Sequence, residues 1–105
     1  MTLLELFRSK SLESAEGLLR EGLKLDVSEI ANLELISKCL VNVEGDNLLG
    51  NLSMWSSGEC DLLVTDKRAE RVLVNEFSLS KNLDELPAFL DDVFGRLRGL
   101  NRRAI

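Results

Sequence analysis

No histidine and no tyrosine occur among the 105 residues of this chain. The missing imidazole removes the commonest general base near neutral pH and the commonest zinc ligand. Ser-His-Asp and Cys-His catalytic arrangements are therefore unavailable. Cysteine is scarce as well: Cys39 and Cys60 are the only two, they lack CxxC spacing, and alone they cannot complete a four-ligand zinc site. They read as buried small hydrophobes in a reducing compartment. No run approaches the roughly 20 apolar residues a membrane-spanning helix needs, and no apolar signal segment opens the chain. The expectation is a soluble, cytoplasmic protein without membrane contact.

Phosphate-binding glycine loops, EF-hand loops and dinucleotide fingerprints are absent too. Acids do occur in pairs, at Asp84-Glu85 and Asp91-Asp92. Adjacent helical residues point about 100° apart, so neither pair converges on one bond. No cofactor or metal is expected, and the residues describe a protein that binds rather than an enzyme. An enzyme built on acids alone would need two carboxylates within about 10 Å of each other in one pocket.

Positive charge is thin over most of the chain. Residues 1–95 hold all 18 acids but only 9 of the 13 bases, a net of −9, and Arg96, Arg98, Arg102 and Arg103 close the sequence. An acidic body repels nucleic-acid phosphates and speeds encounter with basic proteins; acidity also serves solubility alone. The terminal arginines complement the negative end of a helix dipole, a structural role that makes nucleic-acid binding unnecessary to explain them.

What is present is globular. Hydrophobic residues make up 45% of the chain and charged residues 30%, which suits one modest core and a single domain. The organising stretch is 48–66, where two apolar runs flank Ser56-Ser57-Gly58-Glu59 and read as a β-hairpin. Alternation puts Leu48, Leu52 and Met54 on one face, with Leu49 and the only tryptophan, Trp55, on the other; Leu62 and Val64 likewise oppose Leu63. Neither face is wholly polar, so both must be covered or used.

Around the hairpin, residues 1–22 form an N-terminal helical segment. Leu3, Leu4, Phe7, Leu12, Ala15, Leu18 and Leu19 give its apolar stripe, and Gly22 is a stop. The weak centre at Arg8 to Ser11 leaves two options, one helix capped by Thr2 or a break near Ser9. Leu23, Leu25 and Val27 alternate as a first strand, residues 33–44 as a second, and 71–79 as a fifth in which Val72 and Val74 oppose Leu73 and Phe77. Short connections favour antiparallel neighbours. A closing helix spans 82–98, with Asn82 and Glu85 as a capping pair and Pro87 awkwardly placed for that start; 99–105 is a frayed tail. The fold class is α+β: an N-terminal helix, a five-stranded antiparallel meander over 23–79, and a C-terminal helix packed on the sheet.

The run from Gly50 to Asp61, with Trp55-Ser56-Ser57-Gly58-Glu59 at its centre, resembles the signature segment of the TriTu family of bacterial immunity proteins, in which a strand ends in a Trp-x-Ser-Gly-Glu turn. The resemblance extends over residues 23–97, and that family's order of helix, β-rich middle and closing helix is similar. It implies a protein that protects its own cell by binding the toxic C-terminal domain of a polymorphic or contact-dependent growth inhibition toxin. Many such toxins are basic nucleases, so an acidic inhibitor can fill a groove meant for phosphates. The expected binding residues are Trp55 as apolar anchor with Glu59, Asp61, Asp66, Glu70 and Glu76 around it, meeting lysines or arginines of the toxin in a stoichiometric complex. If the second helix covers its face, Trp55 is core instead. The separate alternative for Glu59 and Asp61 is a turn role, satisfying nearby backbone amides. The free protein is expected to be a monomer or weak dimer. The alternative is a small acidic secretion chaperone, usually dimeric, that holds an extended client segment.

Overall fold

The computed structural model describes residues 1–31, 37–78 and 81–103. Helix α1 (Leu3–Arg20) starts at a complete capping box. The Glu5 amide donates to Thr2 Oγ1 (3.1 Å) while the Thr2 amide donates to Glu5 Oε1 (3.2 Å), and these bonds hold the Glu5 carboxyl below its usual pKa. The helix does not break near Ser9. Ser11 is fully buried on the same stripe as Phe7 and Leu18, so it acts as a small core residue, while Leu12 and Leu19 fall outside the stripe and are exposed. At the other end Gly22 takes φ +80°, and the Gly22 and Leu23 amides donate to the Leu19 and Leu18 carbonyls. This Schellman closure buries Leu23 and delivers the chain into the sheet.

Five antiparallel strands follow in sequence order: β1 (Lys24–Ala31), β2 (Ser37–Glu44), β3 (Leu48–Trp55), β4 (Cys60–Asp66) and β5 (Arg71–Ser78). The α+β meander expected from sequence is the observed fold, with β1 running further than the Leu23–Leu25–Val27 pattern indicates. The expected start of the second strand, at 33–36, and the expected end of the fifth, at 79, lie outside the described residues. Successive side chains alternate faces, and the register aligns the apolar sets of neighbouring strands: Val41 opposite Leu52, Cys39 opposite Met54, Leu52 opposite Leu62 and Met54 opposite Cys60. All of these are buried. A β-bulge corrects the expected pattern of the last strand. The pairing steps from Val64↔Val74 to Thr65↔Val72, so Leu73 is the extra residue and Val72 joins Thr65 on the opposite face, 55% exposed.

Helix α2 (Leu86–Arg103) begins later and ends later than the 82–98 expected from sequence. Asn82 and Glu85 do cap one another, with the Glu85 amide 2.9 Å from Asn82 Oδ1 and the Asn82 amide 3.2 Å from Glu85 Oε1. The intervening turn is not regular helix, which places Pro87 in the first turn proper, where a missing amide is harmless. The residues expected to form a frayed tail continue the helix to Arg103. Asn101 Nδ2 donates to the Glu21 carbonyl (3.0 Å), and Arg98 and Arg102 both reach the Glu21 carboxylate, so the last turn is tied to the end of α1. Positions 104–105 lie outside the described residues.

Both helices pack on the same side of the sheet, α1 against β1, β2, β3 and α2, and α2 also against β3. Leu86, Leu90, Val93, Phe94 and Leu97 of α2 join Phe7 and Leu18 of α1 over the buried strand residues in one core. Gly50 makes this approach possible. A Cβ there would stand 2.9 Å from Leu97 Cδ2, so a helix leucine occupies the space that any side chain on β3 would need. Cys39 and Cys60 flank Met54 by register inside this core, and burial pushes both thiols up to about 11. Two strand spacings, roughly 9.5 Å, separate them, too far for a disulfide.

Candidate protein-binding face

Because both helices lie on one side, the other side of the sheet is left uncovered by the described residues, and the register maps it row by row. Ile30, Lys38 and Trp55 are cross-strand neighbours in the first row. Ser28, Leu40, Ser53, Asp61 and Phe77 form the second, and Asp26, Asn42, Asn51, Leu63 and Asn75 the third. Lys24, Glu44, Leu49, Thr65 and Val72 make the last. Apolar side chains are thus dispersed among amides, hydroxyls and single charges. Phe77 is 57% exposed, Ile30 51% and Leu63 38%. The face is mixed, mostly polar with single exposed or half-buried apolar side chains, and Trp55 is the largest of these.

Trp55 sits on this face and not in the core. It is half-buried, and Lys38 Nζ stands 4.7 Å over the ring centroid. The β3–β4 turn positions it: the Trp55 amide donates to the Glu59 carbonyl (3.0 Å) and the Gly58 amide to the Trp55 carbonyl (2.9 Å), with Gly58 at φ +93°. A side chain at Gly58 would also meet the Lys81 backbone oxygen at 2.5 Å, so the glycine is required twice over. These bonds carry the β3–β4 register one residue past Met54 and Cys60, which puts Glu59 across from Trp55 on the uncovered side. Asp61, exposed between Ser53 and Phe77, completes the cluster.

The other three expected binding residues lie elsewhere. Asp66 and Glu70 are at the far end of β4, about 17 Å from Asp61 at roughly 3.3 Å per strand residue. Asp66 Oδ1 accepts from the Arg68 and Ala69 amides (2.9 and 3.1 Å) and so holds the β4–β5 turn, in which Glu70 takes φ +50°. Glu76 points to the helix side. Its carboxylate receives both Arg96 terminal nitrogens at 2.8 and 2.9 Å, which lowers its pKa below the ordinary 4.5. The ring of acids expected around Trp55 is therefore Glu59 and Asp61 alone.

Lys38, Leu40 and Phe77 are the neighbours the sequence did not assign to this cluster. Their alternation was readable, but their adjacency to Trp55 and Asp61 depends on strand register. Among the described residues no three histidine, cysteine, aspartate or glutamate side chains group to hold a metal, and no helix is long and apolar enough to cross a membrane.

No family model matches the chain. What bears on function is thus the face itself: an aromatic ring, exposed apolar side chains and two carboxylates on a rigid sheet.

Proposed function

We propose that this chain is an immunity protein of the cytoplasm, which neutralises a basic toxin domain by binding it one to one through the uncovered sheet face, without making or breaking a bond. The observation that carries the reading is Trp55, held half-buried outside the core beside Glu59 and Asp61. A large aromatic that the fold leaves uncovered, next to carboxylates, suits a desolvated anchor ringed by charge. Lysines or arginines of the partner would meet Glu59 and Asp61, and the acidic body would steer the encounter. The likeness of the Trp55–Glu59 turn to the TriTu signature supports the same reading.

The test is rescue. The reading frame upstream is expected to encode a large secreted protein whose C-terminal domain arrests growth when expressed in the cytoplasm. Co-expression of this chain should restore growth, and calorimetry on the purified pair should give one molecule per folded toxin domain. Persistent toxicity at full expression, or binding only to the unfolded domain, would overturn the proposal; the second result would fit a chaperone for an extended client.

A further inference from the structure

A groove of about 550 Å³ lies between α2 and β5, on the helix side of the sheet. Val74 and Leu100 line it with Gly95 and Gly99, the acids Asp91 and Asp92 stand toward one end and Arg103 at the other, and Arg96, already held by Glu76 of β5, also lines it. Neither glycine makes room for another described residue. A Cβ at either would meet nothing within 4 Å, unlike Gly50, where Leu97 fills the space. Each costs about 1 kcal/mol against alanine in a helix. Neither Asp91 nor Arg103 makes an ion pair with another described residue.

Asp91, Gly95, Gly99 and Arg103 are spaced by four, so they form one ridge along α2 with a carboxylate at one end, a guanidinium at the other and no side chains between. This order is self-complementary. Turned end for end about a twofold axis midway between the glycines, a second α2 brings its Gly99 to Gly95, its Arg103 to Asp91, and its Asp91 to Arg103. Ridges of this spacing interdigitate at a crossing angle of about −50°, and glycine lets the two backbones come close. The groove is bordered by β5, the edge strand, whose outward backbone groups face no further strand of this sheet.

We propose that a second copy of this chain occupies the groove, α2 against α2 in antiparallel, with Asp91 of each copy paired to Arg103 of the other. The contact is isologous and closes as a dimer. It lies on the side of the sheet opposite Trp55, so the uncovered face of each copy stays open, and it does not depend on what that face binds.

Sedimentation equilibrium over micromolar to millimolar concentrations tests this. The weight-average mass should climb from 11.7 kDa toward twice that value. Asp91→Arg, at an exposed position, should raise the dimer dissociation constant about tenfold or more by setting arginine against arginine. Asp91→Arg with Arg103→Asp should restore it. Gly95→Leu, a better helix former, should fold with at least the original melting temperature and remain monomeric. A wild-type chain that is monomeric throughout, or a dimer indifferent to Asp91→Arg and Gly95→Leu, would overturn the proposal. Toxin rescue by Asp91→Arg should be unchanged, which separates this outcome from that of the proposed function.

Discussion

Lys38 Nζ lies 4.7 Å above the ring of Trp55, on the side of the sheet that neither helix covers. The two are directly opposed in the β2–β3 register, so the pairing of strands, not local sequence, sets the contact. The ammonium over one face of the indole helps to fix the direction of the ring. A cation over an aromatic face at a partly exposed site is worth about 0.5–1 kcal/mol, enough to orient the ring and too little to hold the fold.

Replacing Trp55 with alanine should therefore separate stability from binding. The variant is expected to remain folded, losing on the order of 1 kcal/mol in urea titrations. If the proposed immunity function holds, its affinity for the proposed toxin partner should fall by about 2 kcal/mol or more, roughly thirtyfold, as for a central aromatic anchor. Calorimetry beside a denaturation curve checks both. Unchanged affinity in a folded Trp55→Ala protein would take the residue out of the interface.

Glycine-to-alanine changes at two positions should have opposite signs. Gly50→Ala forces a methyl against Leu97 Cδ2 at 2.9 Å and should cost about 1–3 kcal/mol, because helix and sheet must separate locally to admit it. Gly95→Ala meets nothing and should stabilise the monomer by up to about 1 kcal/mol through helix propensity. The comparison of urea midpoints at low protein concentration reads both.

Stability should fall in acid, and Glu76 should carry part of the loss. Its carboxyl is lowered below 4.5 chiefly by the hydrogen bonds from Arg96, so the folded state binds this proton more weakly than the unfolded state does. The contribution is complete above the unfolded value and disappears as pH drops through the folded one. Glu44, lowered by Lys67, and Glu5, lowered by Thr2, act in the same direction. Glu76→Gln should lessen the difference in urea midpoint between pH 7 and pH 3; an acid limb identical to wild type would show that the Arg96 pair adds nothing.

Much of the architecture was legible in periodicity. Leu48, Leu52 and Met54 against Leu49 and Trp55 is an alternation that only a strand produces, and all three of the first set are buried. The Thr2 and Asn82 caps were visible because capping is a matter of residues three apart. Errors arose where distant groups intervened. Residues 99–105 read as a frayed tail, yet Asn101, Arg98 and Arg102 find the end of α1 across the fold and the helix runs on to Arg103. The bulge at Leu73 follows from how β5 must pair with β4, which no local pattern announces. Of the six candidate binding residues, Glu76 lies on the helix side with Arg96, 20 positions away, and Asp66 and Glu70 lie at the far end of β4, placements that depend on pairing between elements.

By itself the sequence determined the order of helices and strands, which side chains of each strand share a face, and the exclusion of histidine-based chemistry, because these depend on residue type and on spacings within one element. Only the tertiary structure decided that both helices take the same side of the sheet, leaving Trp55 uncovered with Glu59 and Asp61, and that Asp66, Glu70 and Glu76 lie apart from it. The reason is that alternation sorts each strand into two faces that both carry some apolar side chains, whereas which residues of different elements end up side by side is set by packing and register. Leu97 can descend onto Gly50, and the end of α2 can reach Glu21, on one side alone.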